Sequence, residues 1–173
     1  MKIFVIGFSQ SGKSTLAKAL SETFDAVHIS ASNWTKQFEI NKSDLEYRAK
    51  VTNASREALS KDHLISVQAI RTEVLESKKA IKIIEGIRNP FDFTHLFDIK
   101  NDYVIFLFPC DVVASDSFDG GVKVIQDTAL WMLANNMIQI ERIFIERNHT
   151  VEETKKLAAY FFCGNRQLFR KCN

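Results

Sequence analysis

Eight residues near the amino terminus have the types and the spacing needed to hold a chain of phosphates. The stretch Gly7-Phe8-Ser9-Gln10-Ser11-Gly12-Lys13-Ser14 matches the P-loop pattern G-x-x-x-x-G-K-[ST]. In such a loop the backbone NH groups turn inward around the phosphates, and glycine permits the required dihedral angles. The pattern predicts that Lys13 reaches the β- and γ-phosphates of ATP and that the Ser14 hydroxyl ligates Mg²⁺. The predicted cofactor-binding residues are Gly7, Ser9, Gln10, Ser11, Gly12, Lys13, Ser14 and Thr15.

The elements on either side of this loop are those that must position it. An apolar run at 3–6 precedes it and predicts a buried strand over 2–6, and apolar residues at helical spacing predict a helix over 13–24. The positive end of that helix dipole lies at the loop, which favours an anion there.

The rest of the chain predicts an open α/β sheet. Strand character returns at 26–30, 81–85 and 103–108, and an edge strand fits 140–146 loosely. Strands separated by helices favour parallel pairing with right-handed crossovers. We therefore predict a single domain over 1–173 with the three-layer sandwich of the P-loop NTPases, a five-stranded parallel sheet and helices on both faces.

Roughly fifty residues between the second and third strands form a predicted helical insertion, about 31–79. Ser43 and Glu46 have capping-box spacing, which predicts a helix start. The helix that follows has Tyr47, Val51, Ala54 and Ala58 on its inner face, and a second has Leu64, Val67, Ile70 and Val74. A further helix after the fourth strand has Val122, Ile125, Ala129, Met132 and Leu133 at helical spacing.

Composition excludes several classes of function. The net charge of +2 is mild, and the basic residues form no run, so neither a nucleic acid nor a membrane is expected as a partner. Three cysteines without metal-ligand spacing favour a reducing, cytoplasmic setting. The expected partners are small-molecule substrates, with the protein a monomer or a homodimer.

A second group of chemical residues follows the third strand. In Ile84-Glu85-Gly86-Ile87-Arg88-Asn89-Pro90, the carboxylate can hold Mg²⁺ through water, and the guanidinium can bind an acceptor phosphate through two hydrogen bonds. Ligands in open α/β sheets bind beyond the carboxyl ends of the strands, and Gly7 to Ser14, Ser30, Glu85 and Pro109 all fall at such ends. The predicted catalytic residues are Lys13, Glu85 and Arg88, and the predicted metal ligands are Ser14 and Glu85.

With these two motifs, at 7–15 and 85–89, the chain resembles the nucleoside monophosphate kinase and dephospho-coenzyme A kinase group of P-loop proteins. The resemblance implies that the insertion grips the acceptor, with Ser30, Arg48, Arg56, Arg71 and Arg88 as substrate-binding candidates. It also implies a lid over about 109–139. Such lids carry several arginines, whereas the only basic residue between Pro109 and Glu141 here is Lys123. Arg88, Arg142 or Arg147 must then substitute, or catalysis is weak.

The acceptor is inferred from the end of the second strand, the usual place for a catalytic base. This chain has His28, Ser30, Ser32 and Asn33 there, with no carboxylate. An ionised acceptor phosphate needs no base, whereas an acceptor hydroxyl does. The leading hypothesis is therefore an ATP-dependent nucleotide kinase that phosphorylates a nucleoside or deoxynucleoside monophosphate.

Two alternatives stay open. One is a kinase of a small metabolite or coenzyme precursor, for which Glu39 or Asp44 would supply the base. The other is a nucleotide-binding regulatory protein with little phosphotransfer activity, which the scarcity of arginine in the lid suggests.

Overall fold

A computed structural model describes residues 1–8, 11–43, 45–109, 128–134, 136, 141–145, 152, 153 and 156, with backbone only at 108–109 and 141–145. Several sequence-based predictions lie outside the described residues. They concern Ser9, Gln10, Asp44, Arg147, the three cysteines and most of the lid-like segment.

The described elements alternate between strands and helices along the chain. They are β1 (Lys2–Gly7), α1 (Lys13–Thr23), β2 (Val27–Ser30), a 3₁₀ helix (Asn33–Phe38), α2 (Tyr47–Lys61), α3 (Ile65–Glu76), β3 (Lys82–Glu85), α4 (Pro90–Leu96), β4 (Tyr103–Pro109), α5 (128–134) and β5 (Glu141–Ile145). The five strands form one sheet in the order β2-β3-β1-β4-β5, and each neighbouring pair is parallel. This confirms the predicted α/β fold with a five-stranded parallel sheet. In the part of the chain that the structure describes, no helix has both the length and the apolar character needed to cross a membrane.

Residues 3–6 of the central strand β1 are apolar and buried, and helices cover both faces of the sheet there. On one face, Ile3 and Val5 pack with Leu16 and Leu20 of α1. On the other, Phe4 and Ile6 belong to a cluster that includes Val67 and Ile70 of α3, Phe93 and Leu96 of α4, and Leu130 and Ala134 of α5. Side chains of a strand alternate between faces, so one apolar run supplies two cores. The predicted helices on both faces are confirmed.

The predicted start of α2 is wrong. The helix begins at Tyr47 with Glu46 at its N-cap, and no side chain caps it. The backbone NH and the hydroxyl of Ser43 instead both donate to Asn41 Oδ1, at 3.0 and 2.9 Å. This local bond competes with the cap and removes the serine from it. The predicted inner face of α2 is only half-buried.

The described part of α5 is helical as predicted, but two of the apolar residues that indicated the helix are not buried. Ala129 and Met132 are exposed, whereas Leu130 and Ala134 are buried. The Trp131 ring packs edge-on against Phe106, with centroids 4.8 Å apart. This contact places α5 against β4, with Leu130 and Ala134 buried.

Candidate functional site

The loop between β1 and α1 requires glycine at both of its ends. Gly7 has φ of +143°, and a Cβ there would lie 2.2 Å from the Leu107 carbonyl oxygen of β4. The next residue, Phe8, donates its NH to that same oxygen at 3.3 Å. At the other end, Gly12 has φ of +83° and forms the N-cap of α1. Both glycines of the motif therefore have a backbone reason to be glycine.

Lys13 begins α1, and its side chain folds back over the loop. The residue is buried, and Nζ donates to the Phe8 carbonyl oxygen at 2.5 Å. The ammonium group thus lies beside the loop backbone, as a phosphate-binding lysine requires.

Glu85 ends β3 beside the start of α1. Its side chain is buried, and one carboxylate oxygen, Oε2, accepts a hydrogen bond of 3.2 Å from the Ser14 hydroxyl. The other, Oε1, lies 3.8 Å from His28 Nε2 of β2. Glu85 also pairs in register with Ser30, so the two residues lie at the same edge of the sheet, as predicted.

Two opposed effects act on the Glu85 carboxyl. Burial raises its pKa, but the polar groups of His28, Ser30 and Ser14 outweigh burial and bring the pKa below its ordinary value. The carboxylate is therefore ionised at neutral pH and can attract a cation.

Several of these residues line one cavity of about 490 Å³, which is within the size range of small-molecule sites. Its described lining comes from the loop and α1, from the end of β2 and from the residues after β3: Gly12, Lys13, Ser14, Thr15, Ser30, Ser32, Glu85, Gly86 and Arg88. The hydroxyls of Ser30 and Ser32 lie 3.0 Å apart at the β2 end. The lining is rich in hydrogen-bond donors and carries two cationic side chains, a composition suited to an anionic ligand.

The described lining contains seven of the predicted site residues: Gly12, Lys13, Ser14, Thr15, Ser30, Glu85 and Arg88. Gly7, Ser11 and three predicted arginines do not belong to it. Arg48 and Arg56 are exposed on α2. Arg71 is exposed on α3, and its guanidinium donates to the His95 carbonyl oxygen in the last turn of α4 at 2.8 Å. None of the three belongs to the described lining of the cavity. Their role in binding an acceptor stays a prediction.

Two lining residues, Ser32 and Gly86, were absent from the predicted site. Ser32 lies just beyond the β2 end, and its hydroxyl was not predicted to take part because a catalytic base there would be a carboxylate. Gly86 has φ of +84°, and a Cβ there would meet no atom closer than 3.8 Å. Its position next to Glu85 was the available signal.

The donor atoms present fit Mg²⁺. Ser14 and Glu85 offer a hydroxyl and an ionised carboxylate on the cavity wall, and Mg²⁺ prefers oxygen ligands and takes few from the protein when phosphates supply others. Within the described ranges no group of three or more His, Cys, Asp or Glu side chains could hold a metal by itself. A metal held by Ser14 and Glu85 would take its remaining ligands from other oxygen atoms, such as those of a phosphate or of water.

No protein-family model and no curated protein matches the sequence. Solved structures do match. The shikimate kinase of Aquifex aeolicus superposes with a TM-score of 0.59 and 17% identity, over 96% of this chain and 99% of that one. The shikimate kinase of Acinetobacter baumannii, solved in complex with shikimate, gives a TM-score of 0.58 and 14% identity, over 99% of this chain and 95% of that one.

The chain has the shikimate kinase fold. Shikimate kinases are P-loop kinases of the nucleoside monophosphate kinase-like group, so the predicted resemblance is confirmed as a fold. In this fold the cavity lies beyond the carboxyl ends of the parallel strands, where open α/β sheets bind ligands.

Proposed function

We propose that this protein is a kinase that transfers the γ-phosphoryl group of ATP, with Mg²⁺, to a small metabolite. The observation that carries the proposal is the 3.2 Å contact between the Ser14 hydroxyl and Glu85, in a cavity that Lys13 and Arg88 also line. The fold supports it, since the similar solved structures are kinases of a small molecule, shikimate. This was the alternative in the sequence-based analysis, and the fold favours it over a nucleoside monophosphate kinase.

Each residue has a role that its position supports. The amides of the loop and Lys13 bind the donor phosphates, and Lys13 stabilises the negative charge that spreads over the transferring group. Ser14 and Glu85 would hold Mg²⁺, which when bound neutralises charge on the β- and γ-phosphates. Arg88, which lines the same cavity, would orient the acceptor. No covalent intermediate is needed.

A nucleoside monophosphate acceptor is the second candidate, and one specific observation favours it. Among the described lining residues, Glu85 is the only carboxylate, and it already binds the Ser14 hydroxyl. The β2 end contributes the hydroxyls of Ser30 and Ser32 instead. An acceptor phosphate would need no base at this position, whereas a hydroxyl acceptor would draw on Glu85 or on another residue.

The test is ADP formation from ATP and Mg²⁺ with two panels of acceptors. One panel holds small hydroxyl-bearing metabolites, including shikimate, and the other holds the nucleoside and deoxynucleoside monophosphates. Phosphorus NMR of the product then separates a phosphate monoester, expected from a metabolite acceptor, from the diphosphate that a monophosphate acceptor would give. A nucleoside diphosphate formed from the acceptor monophosphate, as distinct from the ADP that both reactions release, would overturn the main proposal and establish the second candidate.

A pair of lysine variants controls this assay. Lys13→Ala is expected to lower turnover by at least about a hundredfold, because it removes a charge from the developing transition state. Lys18→Ala removes an exposed lysine of the same helix and should change turnover little. Tight ATP binding with no turnover on either panel would overturn both kinase proposals and leave the nucleotide-binding regulatory protein.

A further inference from the structure

A buried histidine nitrogen faces the proposed metal-binding carboxylate from the neighbouring strand. His28 Nε2 is enclosed and has no hydrogen-bond partner among the described residues, although the side chain as a whole is 29% exposed. It lies 3.8 Å from Glu85 Oε1. A buried polar atom without a partner is costly, so its presence beside this carboxylate calls for a reason.

The sheet register explains how the two side chains meet. Ser30 pairs with Glu85 and His28 pairs with Ile83, so all four lie on one face of the sheet. Ile83 packs in the cluster under α1, which identifies that face as the one that α1 covers. Ser14 is in the first turn of α1. The carboxylate therefore has the α1 hydroxyl on one side and the imidazole of β2 on the other.

We propose that His28 is a positioning residue that orients the Glu85 carboxylate toward Ser14 and the Mg²⁺ of the bound nucleotide. The inference rests on the proposed function. A glutamate side chain has three rotatable bonds, and the Ser14 contact restrains only Oε2. A donor at Oε1 restrains the other oxygen, and the present 3.8 Å needs only a small rotation to become a hydrogen bond. Mutation of a residue that hydrogen-bonds to a metal ligand commonly lowers metal affinity by tenfold to a hundredfold.

The experiment measures nucleotide binding and not turnover. The affinity for ADP is determined by calorimetry across a series of Mg²⁺ concentrations, and again in EDTA, for the wild type and three variants. His28→Leu removes the ring nitrogen, and His28→Gln keeps a donor of similar reach. His63→Leu makes the same change at an exposed histidine outside the described cavity lining.

We expect His28→Leu to raise the Mg²⁺ concentration for half-maximal ADP binding by about tenfold or more. His28→Gln should recover most of this loss, and His63→Leu should match the wild type. In EDTA all four proteins should bind ADP within about twofold of one another, because the loop amides and Lys13 act without the metal.

Two results would overturn the positioning role. One is an unchanged Mg²⁺ requirement in His28→Leu, and the other is an equal loss of ADP affinity with and without Mg²⁺, which a purely structural role predicts. If His28→Leu does not fold, His28→Asn replaces it. The asparagine side chain is one methylene shorter than that of His28→Gln, so its amide reaches less far toward Glu85. A wild type with no affinity for ADP and Mg²⁺ would contradict the proposed function instead.

Discussion

The Ser14 hydroxyl lies 3.2 Å from a carboxylate oxygen of Glu85, so the first turn of α1 is joined to the end of β3 across 71 positions of sequence. A serine hydroxyl has one hydrogen to donate and two lone pairs. Ser14 can therefore keep this bond to Glu85 while a lone pair faces a cation. The contact links the phosphate-binding loop to the acidic residue that the proposed reaction needs.

Glu85→Gln should separate metal binding from nucleotide binding. The amide keeps the shape of the side chain but loses the charge that attracts Mg²⁺. We expect turnover at limiting Mg²⁺ to fall by about tenfold to a hundredfold. ADP affinity in EDTA should not fall, because a negative charge near the phosphates has been removed. Initial rates over a Mg²⁺ series measure the effect, and Glu76→Gln, at an exposed carboxylate of α3, is the control.

Arg88→Ala should weaken acceptor binding and spare the donor. A hydrogen-bonded guanidinium contact to a charged group contributes about 1.5–3 kcal/mol, so the KM of an anionic acceptor should rise by about tenfold to a hundredfold. The KM for ATP should stay near the wild-type value. Arg71→Ala is the comparison, because that side chain contacts the His95 carbonyl outside the described cavity lining. An equal rise of the acceptor KM in Arg88→Ala and Arg71→Ala would contradict the assignment of Arg88 to the acceptor.

Two glycines with positive φ should respond differently to alanine. Gly86→Ala meets no atom closer than 3.8 Å and should cost about 1–2 kcal/mol of unfolding free energy for its left-handed backbone. Gly7→Ala would place Cβ 2.2 Å from a backbone oxygen, so overpacking adds about 1–3 kcal/mol or more to the strain. Urea unfolding of both variants measures the difference. Equal losses of unfolding free energy in the two variants would show that β1 and β4 can move apart at Gly7 at little cost.

Asp92 predicts how stability depends on pH. Burial raises the pKa of its carboxyl, and the Ser66 hydroxyl and the charge of His95 offset this only in part. The folded protein then holds the proton more tightly than the unfolded chain does. The stability that this adds is fully present below the ordinary pKa and is lost as pH rises through the folded-state value.

The corresponding variant is Asp92→Asn, which removes this titration. We expect the unfolding free energy of the variant, relative to the wild type, to increase as pH rises from about 3 to about 7. Urea unfolding at each pH gives the two curves. A difference that does not change with pH would show that the carboxyl titrates alike in the folded and unfolded protein.

The features predicted correctly from sequence were those that a short stretch of chain determines. The loop from Gly7 to Ser14 is encoded by adjacent residues, and the buried strands by their own apolar runs. The start of α2 was missed because Ser43 bonds to Asn41, one of two locally allowed choices. The apolar residues of α5 indicated a helix, but which of them are buried depends on packing against a distant residue, Phe106.

The candidate site follows the same division. Glu85 and Arg88 were found because they follow a strand within a motif. The contact between His28 and Glu85 was not, because it depends on the pairing of β2 with β3, and sequence spacing does not specify that register. The exposure of Arg71 depends likewise on how α3 packs against α4.

The order of the strands in the sheet predicts that the β1 side and the β2 side of this cavity differ in local stability. β1, which leads into the loop, has a hydrogen-bonded strand on each side. Among the residues that the structure describes, β2, which ends at Ser30, has a neighbour on one side only. Amide protons of β1 should thus exchange with solvent only when the whole molecule opens, and those of β2 should exchange through cheaper partial openings. The residues proposed to bind the donor therefore follow the most stable strand of the sheet. The end of β2, on the side proposed for the acceptor, can open and close locally without unfolding of the whole protein.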